Sequence, residues 1–282
     1  MTTPQIVNTI DLLRTRLAAA KRDGARIGLV PTMGALHEGH LSLVHKTRKH
    51  ADKVVVSIFV NPAQFAPHED FDLYPRTLDA DARKLAAADG TDMIFAPSVG
   101  EMYPQGFATK IEVGGPSRGL ETDFRPHFFA GVATVVAKLL LAVMPDVATF
   151  GEKDYQQLLV VRRLAADLGL ATKIVGAPIM REPDGLAMSS RNAYLKPDER
   201  RIAGQMNAVL KRVVADLRRG TPIAAAEEAG RCGLLEAGFA SIDYVAVRDA
   251  ATLAQLESLD RPARLLAAAK VGNTRLIDNM AV

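Results

Sequence analysis

The stretch Arg26-Ile-Gly-Leu-Val-Pro-Thr-Met-Gly-Ala-Leu-His-Glu-Gly-His40 decides how the rest of the chain is read. Its first five residues form a short, mostly apolar run that suits a buried strand. Pro31 to Leu36 turn the chain, and residues 39–51 have the spacing of a helix. A β-branched run, Lys53-Val-Val-Val-Ser-Ile-Phe-Val60, follows at once. Near-continuous apolar strands alternating with helices mean a parallel sheet covered on both faces. The alternation extends outward. Residues 8–22, 77–89, 130–143 and 153–169 read as helices, with Asn8 or Thr9 capping the first. Residues 92–96, 148–151 and 172–175 read as strands, and 109–113 as an edge strand. Ligands of such sheets bind outside the carboxyl ends of the strands. Chemistry is therefore expected after Val30, Val60, Phe95 and Phe150.

After about residue 185 the pattern changes. Residues 197–219 and 222–237 read as helices, and 241–247, 264–270 and 274–277 as short strands suited to an antiparallel sheet. Pro183-Asp-Gly185 marks the junction. The expectation is an α/β domain over 1–184 and a smaller α+β domain over 185–282.

Composition limits the function classes. The chain has 282 residues, 48% apolar and 24% charged, as ordinary globular proteins have. One cysteine, Cys232, excludes an internal disulfide and any multi-cysteine metal site; it reads as a packing residue of a helix. Met1 to Ile10 lack the basic and apolar regions of a signal peptide. The longest apolar stretch, Val132 to Met144, is interrupted by Lys138 and falls short of the ~20 residues of a membrane span. A cytoplasmic protein without a membrane partner is expected. Net charge is +3, from 35 basic and 32 acidic residues that are scattered, and Trp is absent. A nucleic-acid binder would show a clustered basic stripe with aromatic residues, so no nucleic-acid partner is expected.

Four segments could carry chemistry. In Met33 to His40, Gly34 and Gly39 permit close backbone approach, and His37 and His40 share a face at a helix start. A helix N-terminus suits phosphate, and two imidazoles add compact donors for a phosphoryl transition state. The competing reading, a metal pair, lacks a third ligand motif. Neither Gly-x-Gly-x-x-Gly nor Gly-Lys-Ser/Thr follows the strand, which argues against a dinucleotide dehydrogenase and a P-loop NTPase. Asn61 and Gln64 end the second long strand as neutral amides, able to hold a carboxylate or hydroxyl without placing charge beside phosphate. Asn61 before Pro62 also suits a simple turn. In Gly151-Glu-Lys-Asp-Tyr-Gln-Gln157, Lys153 suits phosphate, Gln157 a substrate amide contact four residues on, and Asp154 a ribose hydroxyl or the helix start. Met188-Ser-Ser-Arg-Asn192 offers two hydroxyls, a guanidinium and backbone amides to a polyphosphate.

Taken in order, Val30 to His40, Ser57 to Phe65, Tyr74-Pro-Arg-Thr77, Phe95-Ala-Pro97, Gly151 to Asp154 and Ser189 to Asn192 closely resemble the pantoate–β-alanine ligase family over nearly the whole chain. His37-Glu-Gly-His40 alone resembles the His-x-Gly-His signature of a wider adenylyl-transfer superfamily, and Met188 to Arg191 that superfamily's mobile phosphate loop. The resemblance implies a Rossmann-like parallel sheet, a C-terminal lid domain and a homodimer. It implies ATP, pantoate and β-alanine as substrates, with Mg²⁺ accompanying ATP, a pantoyl adenylate, and release of pyrophosphate and AMP. It places ATP on Met33, Gly34, Ala35, Leu36, His37, Glu38, Gly39 and His40, on Gly151, Glu152, Lys153 and Asp154, and on Met180, Met188, Ser189, Ser190 and Arg191. Pantoate falls on Gln64 and Gln157, with Asn61 on the same edge; His40 is the family's proton donor. The catalytic group would be His37, His40 and Lys153. One position departs: many members read Arg-Pro-Gly-His-Phe where this chain has Arg125-Pro-His-Phe-Phe129, so Phe128 stands at the family histidine and His127 at the glycine. A nucleotidylyltransferase of the same superfamily is the alternative activity, and a basic RNA-binding module the alternative without catalysis.

Overall fold

The computed structural model describes residues 4–66 and 71–282. Two compact units emerge, Met1–Glu152 with Val160–Pro178, and Lys153–Leu159 with Ile179–Val282.

The first unit is built on a parallel sheet. Its strands are β1 (Gln5–Val7), β2 (Ile27–Thr32), β3 (Lys53–Ile58), β4 (Met93–Phe95), β5 (Val147–Gly151) and β6 (Lys173–Ala177), in the order β1-β4-β3-β2-β5-β6. All of the neighbouring pairs are parallel. Chain order runs outward one way from β2 through β3 and β4, then resumes at β5 beside β2. That reversal is the switch point of a doubly wound sheet, where the strand ends open a crevice. Helices α1 (Ile10–Arg22), α2 (Glu38–Arg48), α3 (Leu78–Ala88) and α6 (Phe128–Val143) accompany it, with two single-turn helices, α4 (Val99–Met102) and α5 (Glu121–Phe124). The Thr9 hydroxyl caps α1 by accepting from Leu12 N–H. One core cluster joins Val30, Val54, Val56, Ile94 and Val147 of the sheet to Leu41, Val44 and Leu85 of the helices.

Helix α2 owes its closeness to Gly28. A Cβ there would lie 2.3 Å from Thr47 Cγ2 and 2.9 Å from Ala51 Cβ. Thr47 is fully buried; its hydroxyl donates to Leu43 O at 2.7 Å and pairs at 2.7 Å with the Thr149 hydroxyl of β5, which can supply the hydrogen of that bond. The helix is thus pinned across β2 and β5, which aims its N-terminus at the switch point.

In the second unit, α8 (Pro197–Ala203), α9 (Gln205–Arg218) and α10 (Ile223–Glu236) accompany the antiparallel sheet β7 (Ser241–Asp249), β8 (Ala263–Val271) and β9 (Thr274–Ala281). Its core gathers Met206, Leu210, Val213 and Leu234 with Val245, Val247, Leu265 and Leu276. Helix α7 (Tyr155–Asp167) begins in this unit and ends in the first.

Several expectations need correction. Residues 109–113 are not a strand; Ile111 N–H is satisfied by the Thr134 hydroxyl at 3.0 Å instead of a sheet ladder. The helix expected over 197–219 is interrupted at Gly204. The helix expected from 153 starts at Tyr155, because Glu152–Asp154 form a 3₁₀ turn. Cys232 is exposed, not packed. The buried stripe of α10 is Ala226, Gly230 and Leu234, and Cys232 lies off it with its thiol on Glu228 at 3.5 Å. The short strand β1 was not anticipated, since three residues carry too little pattern to read. No helix among the described residues is long and apolar enough to cross a membrane.

Candidate active site

In the first unit, strand β2 ends at Thr32 and the chain enters the turn that leads to α2. Gly34 and Ala35 take left-handed backbone, at φ +88 and +51. Glycine adopts this readily, whereas alanine needs outside support. The support comes from Asp81 of α3, whose carboxylate is fully buried. Its Oδ2 accepts from Ala35 N–H at 3.0 Å and from the Thr77 hydroxyl at 3.0 Å; its Oδ1 accepts from Leu36 N–H at 2.8 Å. Lys84 completes the clamp by donating to Leu36 O at 2.6 Å. The sequence reading missed Asp81. The signal was present: Asp81 shares the inner face of α3 with Leu78, Ala82 and Leu85, where a carboxylate must have a purpose.

His37 caps α2, and its Nδ1 accepts from Gly39 N–H at 3.1 Å. The Nδ1 of His40 accepts from His37 N–H at 3.3 Å, closing a reciprocal capping pair. Both rings therefore use Nδ1 as an acceptor, which places the proton of the neutral ring on Nε2. The centroids lie 4.2 Å apart with planes tilted by 44°. Two Nε2–H groups thus extend the positive end of the α2 dipole. Of the backbone amides at this helix start, that of Gly39 is already occupied by the His37 ring.

At the end of β3, Asn61 and Gln64 frame a 3₁₀ turn over Pro62–Gln64 and are both buried. Asn61 Nδ2 donates to Gln64 Oε1 at 2.9 Å and to Gly131 O at 3.2 Å. Its Oδ1 accepts from the Tyr103 hydroxyl at 2.7 Å and from Ala63 N–H at 3.3 Å. Burial pushes the Tyr103 hydroxyl up to about 12, with the bond to Asn61 opposing. Arg125 donates to Gln64 O at 3.1 Å and places its guanidinium 3.9 Å from the Phe128 ring centre. The His127 Nε2 is buried without a partner among the described residues. Gly151 and Glu152 leave β5 on the other side of the switch point.

The second unit carries the remaining candidates. Lys153 and Asp154 sit in the 3₁₀ turn, with Gln157 in the first turn of α7. Lys153 and Gln157 therefore do not belong to one regular α-helix. The Lys153 carbonyl accepts from Asn279 Nδ2 at 2.8 Å, and Asn279 Oδ1 accepts from Arg264 at 2.7 Å. The same guanidinium lies 4.2 Å from the Tyr155 ring centre, and the Tyr155 hydroxyl donates to Ala250 O at 2.8 Å. The lysine turn is stitched to β9 and its neighbours, a support that sequence spacing could not show. Met188 N–H donates to Met180 O at 2.9 Å, so those two candidates meet across a narrow loop. The Ser189 hydroxyl accepts from Arg191 N–H at 3.3 Å and starts the 3₁₀ turn Ser190–Tyr194. Among the described residues no three His, Cys, Asp or Glu side chains gather as a metal site.

Residues 5–281 match the family model described as pantoate-beta-alanine ligase. The chain belongs to the pantoate–β-alanine ligase family. It is 57% identical over 281 residues to pantothenate synthetase of Rhodopseudomonas palustris, covering 99% of each chain. It is 55% identical over 282 residues to that of Mesorhizobium japonicum, covering 100% of this chain and 99% of the relative. Among solved structures, pantothenate synthetase from Thermus thermophilus superposes with a TM-score of 0.92 at 46% identity over 98% of both chains. The pantoate-β-alanine ligase from Francisella tularensis, complexed with β-γ ATP and β-alanine, gives 0.83 at 34% identity, covering 98% of this chain and 97% of that one. Members of a family this similar share the six-stranded parallel sheet and the small antiparallel sheet as one fold.

Proposed function

We propose that this chain joins pantoate to β-alanine at the expense of ATP, through a pantoyl adenylate. The observation that carries the proposal is the imidazole pair at the capped start of α2, both rings turned so that Nε2–H faces away from the backbone. The pantoate carboxylate is ionised at neutral pH, so its attack on the α-phosphorus requires no general base. Its oxygen bonds to phosphorus as the bond to the β-phosphate oxygen breaks, and pyrophosphate leaves. This step needs alignment and donors that are in place before charge builds up. His37 and His40 supply donors, His40 as the proton donor, and Lys153 supplies a cation. ATP is held by Met33–His40, Gly151–Asp154, Met180 and Met188–Arg191. Gln64 and Gln157 hold pantoate, supported by Asn61 at the end of β3. The β-alanine amine then attacks the acyl carbon, the bond to AMP breaks, and the amine proton is lost as pantothenate forms.

Mg²⁺ arrives with ATP as part of the substrate, held chiefly by phosphate oxygens and water, as is usual for this ion at polyphosphates. Residues 1–184 form the binding domain and 185–282 act as the lid during turnover. The enzyme works as a homodimer in the cytoplasm, where ATP is supplied. Full-length similarity to the pantothenate synthetases supports the ligase reading over simple nucleotidyl transfer.

The test is isotope exchange. With Mg²⁺ and pantoate but no β-alanine, labelled pyrophosphate should enter ATP; without pantoate it should not. Adding β-alanine should yield pantothenate and AMP in equal amounts. Exchange independent of pantoate, or release of ADP and phosphate, would overturn the proposal.

A further inference from the structure

We infer that Asn61 is a positioning residue that orients the Gln64 amide with its nitrogen toward pantoate, so that this point accepts only an acceptor oxygen. The inference rests on the function proposed above and deepens it. Asn61 is 1% exposed. An amide side chain has two N–H donors and two carbonyl lone pairs. All four are filled: Tyr103 and Ala63 on Oδ1, Gly131 and Gln64 on Nδ2. Asn61 has nothing left to offer a substrate directly.

Its orientation is also not free. Two of its four partners are backbone groups that cannot exchange roles. Ala63 N–H can only donate, which requires the oxygen of Asn61 on that side; Gly131 C=O can only accept, which requires the nitrogen on the other. The frame that carries these groups is tight. A Cβ on Gly131 would lie 2.1 Å from Ala63 O, so α6 and the turn after β3 touch backbone to backbone. With Asn61 fixed in this sense, Gln64 must face it with Oε1. Its Nε2 is then left with two hydrogens that no described residue takes. Pantoate offers a carboxylate and hydroxyl oxygens, all acceptors, to such a group. A bare glutamine could turn over and accept from a competing donor; one held by Asn61 cannot.

The test is Asn61→Asp at pH 8. An ionised aspartate offers only acceptors, so Gln64 should turn its nitrogen to the new carboxylate and present oxygen to the substrate. The KM for pantoate should rise at least about tenfold, the scale of one lost hydrogen bond to a charged group. The KM for ATP and kcat at saturating pantoate should stay within about threefold, well under that scale. In a Gln64→Ala background the same change should add nothing to the pantoate KM, because the group through which Asn61 acts is gone. Circular dichroism melts check that each variant folds. If the aspartate variant does not fold, Gln64→Glu is compared with Gln64→Met. The glutamate should accept from Asn61 and show only acceptor oxygens to pantoate, with a pantoate KM well above that of the methionine variant. Equal loss for ATP and pantoate, an Asn61 effect that persists without the Gln64 side chain, or a glutamate variant no worse than methionine would each overturn the inference. A wild-type enzyme that releases no AMP from pantoate would overturn the function and this inference together; normal wild-type turnover with an additive cycle would overturn the inference alone.

Discussion

Replacing Asp81 by asparagine tests whether the left-handed turn before α2 is held from α3. The carboxylate now accepts three hydrogens, from Ala35 N–H, Leu36 N–H and the Thr77 hydroxyl. An asparagine oxygen can keep Leu36, but its nitrogen then faces Ala35 N–H, donor against donor. The Thr77 hydroxyl can rotate and accept, so the net defect is one orphaned backbone N–H and the loss of charge on the surviving bonds. A buried unsatisfied N–H costs about 1–3 kcal/mol, and bonds to a charged acceptor exceed neutral ones by about 1 kcal/mol. Relief of the buried charge offsets part of this, leaving roughly 2–4 kcal/mol. At about 2–4 °C per kcal/mol for a protein of this size class, the melting midpoint should fall by roughly 4–16 °C. The turn also carries His37, and misplacement by about 1 Å typically costs about 10²-fold in rate. Asp81→Asn should therefore depress pyrophosphate–ATP exchange by about 10²-fold below the melting range. Thermal denaturation by circular dichroism and the exchange assay, run on one preparation, measure both. A variant that melts within a degree or so of wild type, inside the range of a neutral surface change, with near-normal exchange would refute the claim that Asp81 holds the turn.

Other perturbations follow from the same geometry. His40→Ala should stay folded, with a melting midpoint lowered only by the lost capping bond from His37 N–H, and lose about 10²–10³-fold in the pyrophosphate-forming half-reaction, measured in single-turnover mixing; near-normal pyrophosphate release from a folded variant would remove His40 from the site. Gly28→Ala puts a methyl 2.3 Å from Thr47 Cγ2 and should destabilise by about 1–3 kcal/mol. Adding Thr47→Ser, which removes that methyl and keeps the hydroxyl, should recover a large part of the loss in a double-mutant cycle, and strict additivity would count against the contact. Asp184 is held below the usual carboxylate range, first by the Arg200 guanidinium, with burial opposing and Leu186 N–H assisting. A lowered folded pKa means that its contribution is present above the ordinary carboxylate value of about 4 and is lost as pH falls through the lower folded value. In a carbon-13 titration Arg200→Gln should therefore raise the Asp184 midpoint; an unchanged midpoint would deny the pairing.

The sheet was legible in the sequence because burial on both faces leaves strands with continuous apolar runs, as at Val54–Val56 and Ile27–Val30. The helix that follows β2 was legible from spacing, and the histidines at its start from their position after a strand. Fold class, family and the chemical types of the candidate groups were set at that level, because they depend on local pattern and residue identity. What the groups do to one another was not. The proton position on His37 and His40 follows from which backbone N–H each ring meets, a matter of ångströms. Asp81 stands on the apolar face of α3 in the sequence, but which N–H groups its carboxylate meets was decided only by packing. Residues 109–113 had strand-like composition but found their hydrogen bond on a threonine side chain, and Cys232 lay on the side of α10 opposite its buried stripe. Asn61 shows the limit most clearly. Its amide could serve a turn or a substrate on sequence grounds, and only the approach of Gly131, seventy residues on, fills its last donor and turns Gln64 outward. Pattern records which faces avoid water; a hydrogen bond between distant segments depends on direction and distance, which exist only after the chain has packed.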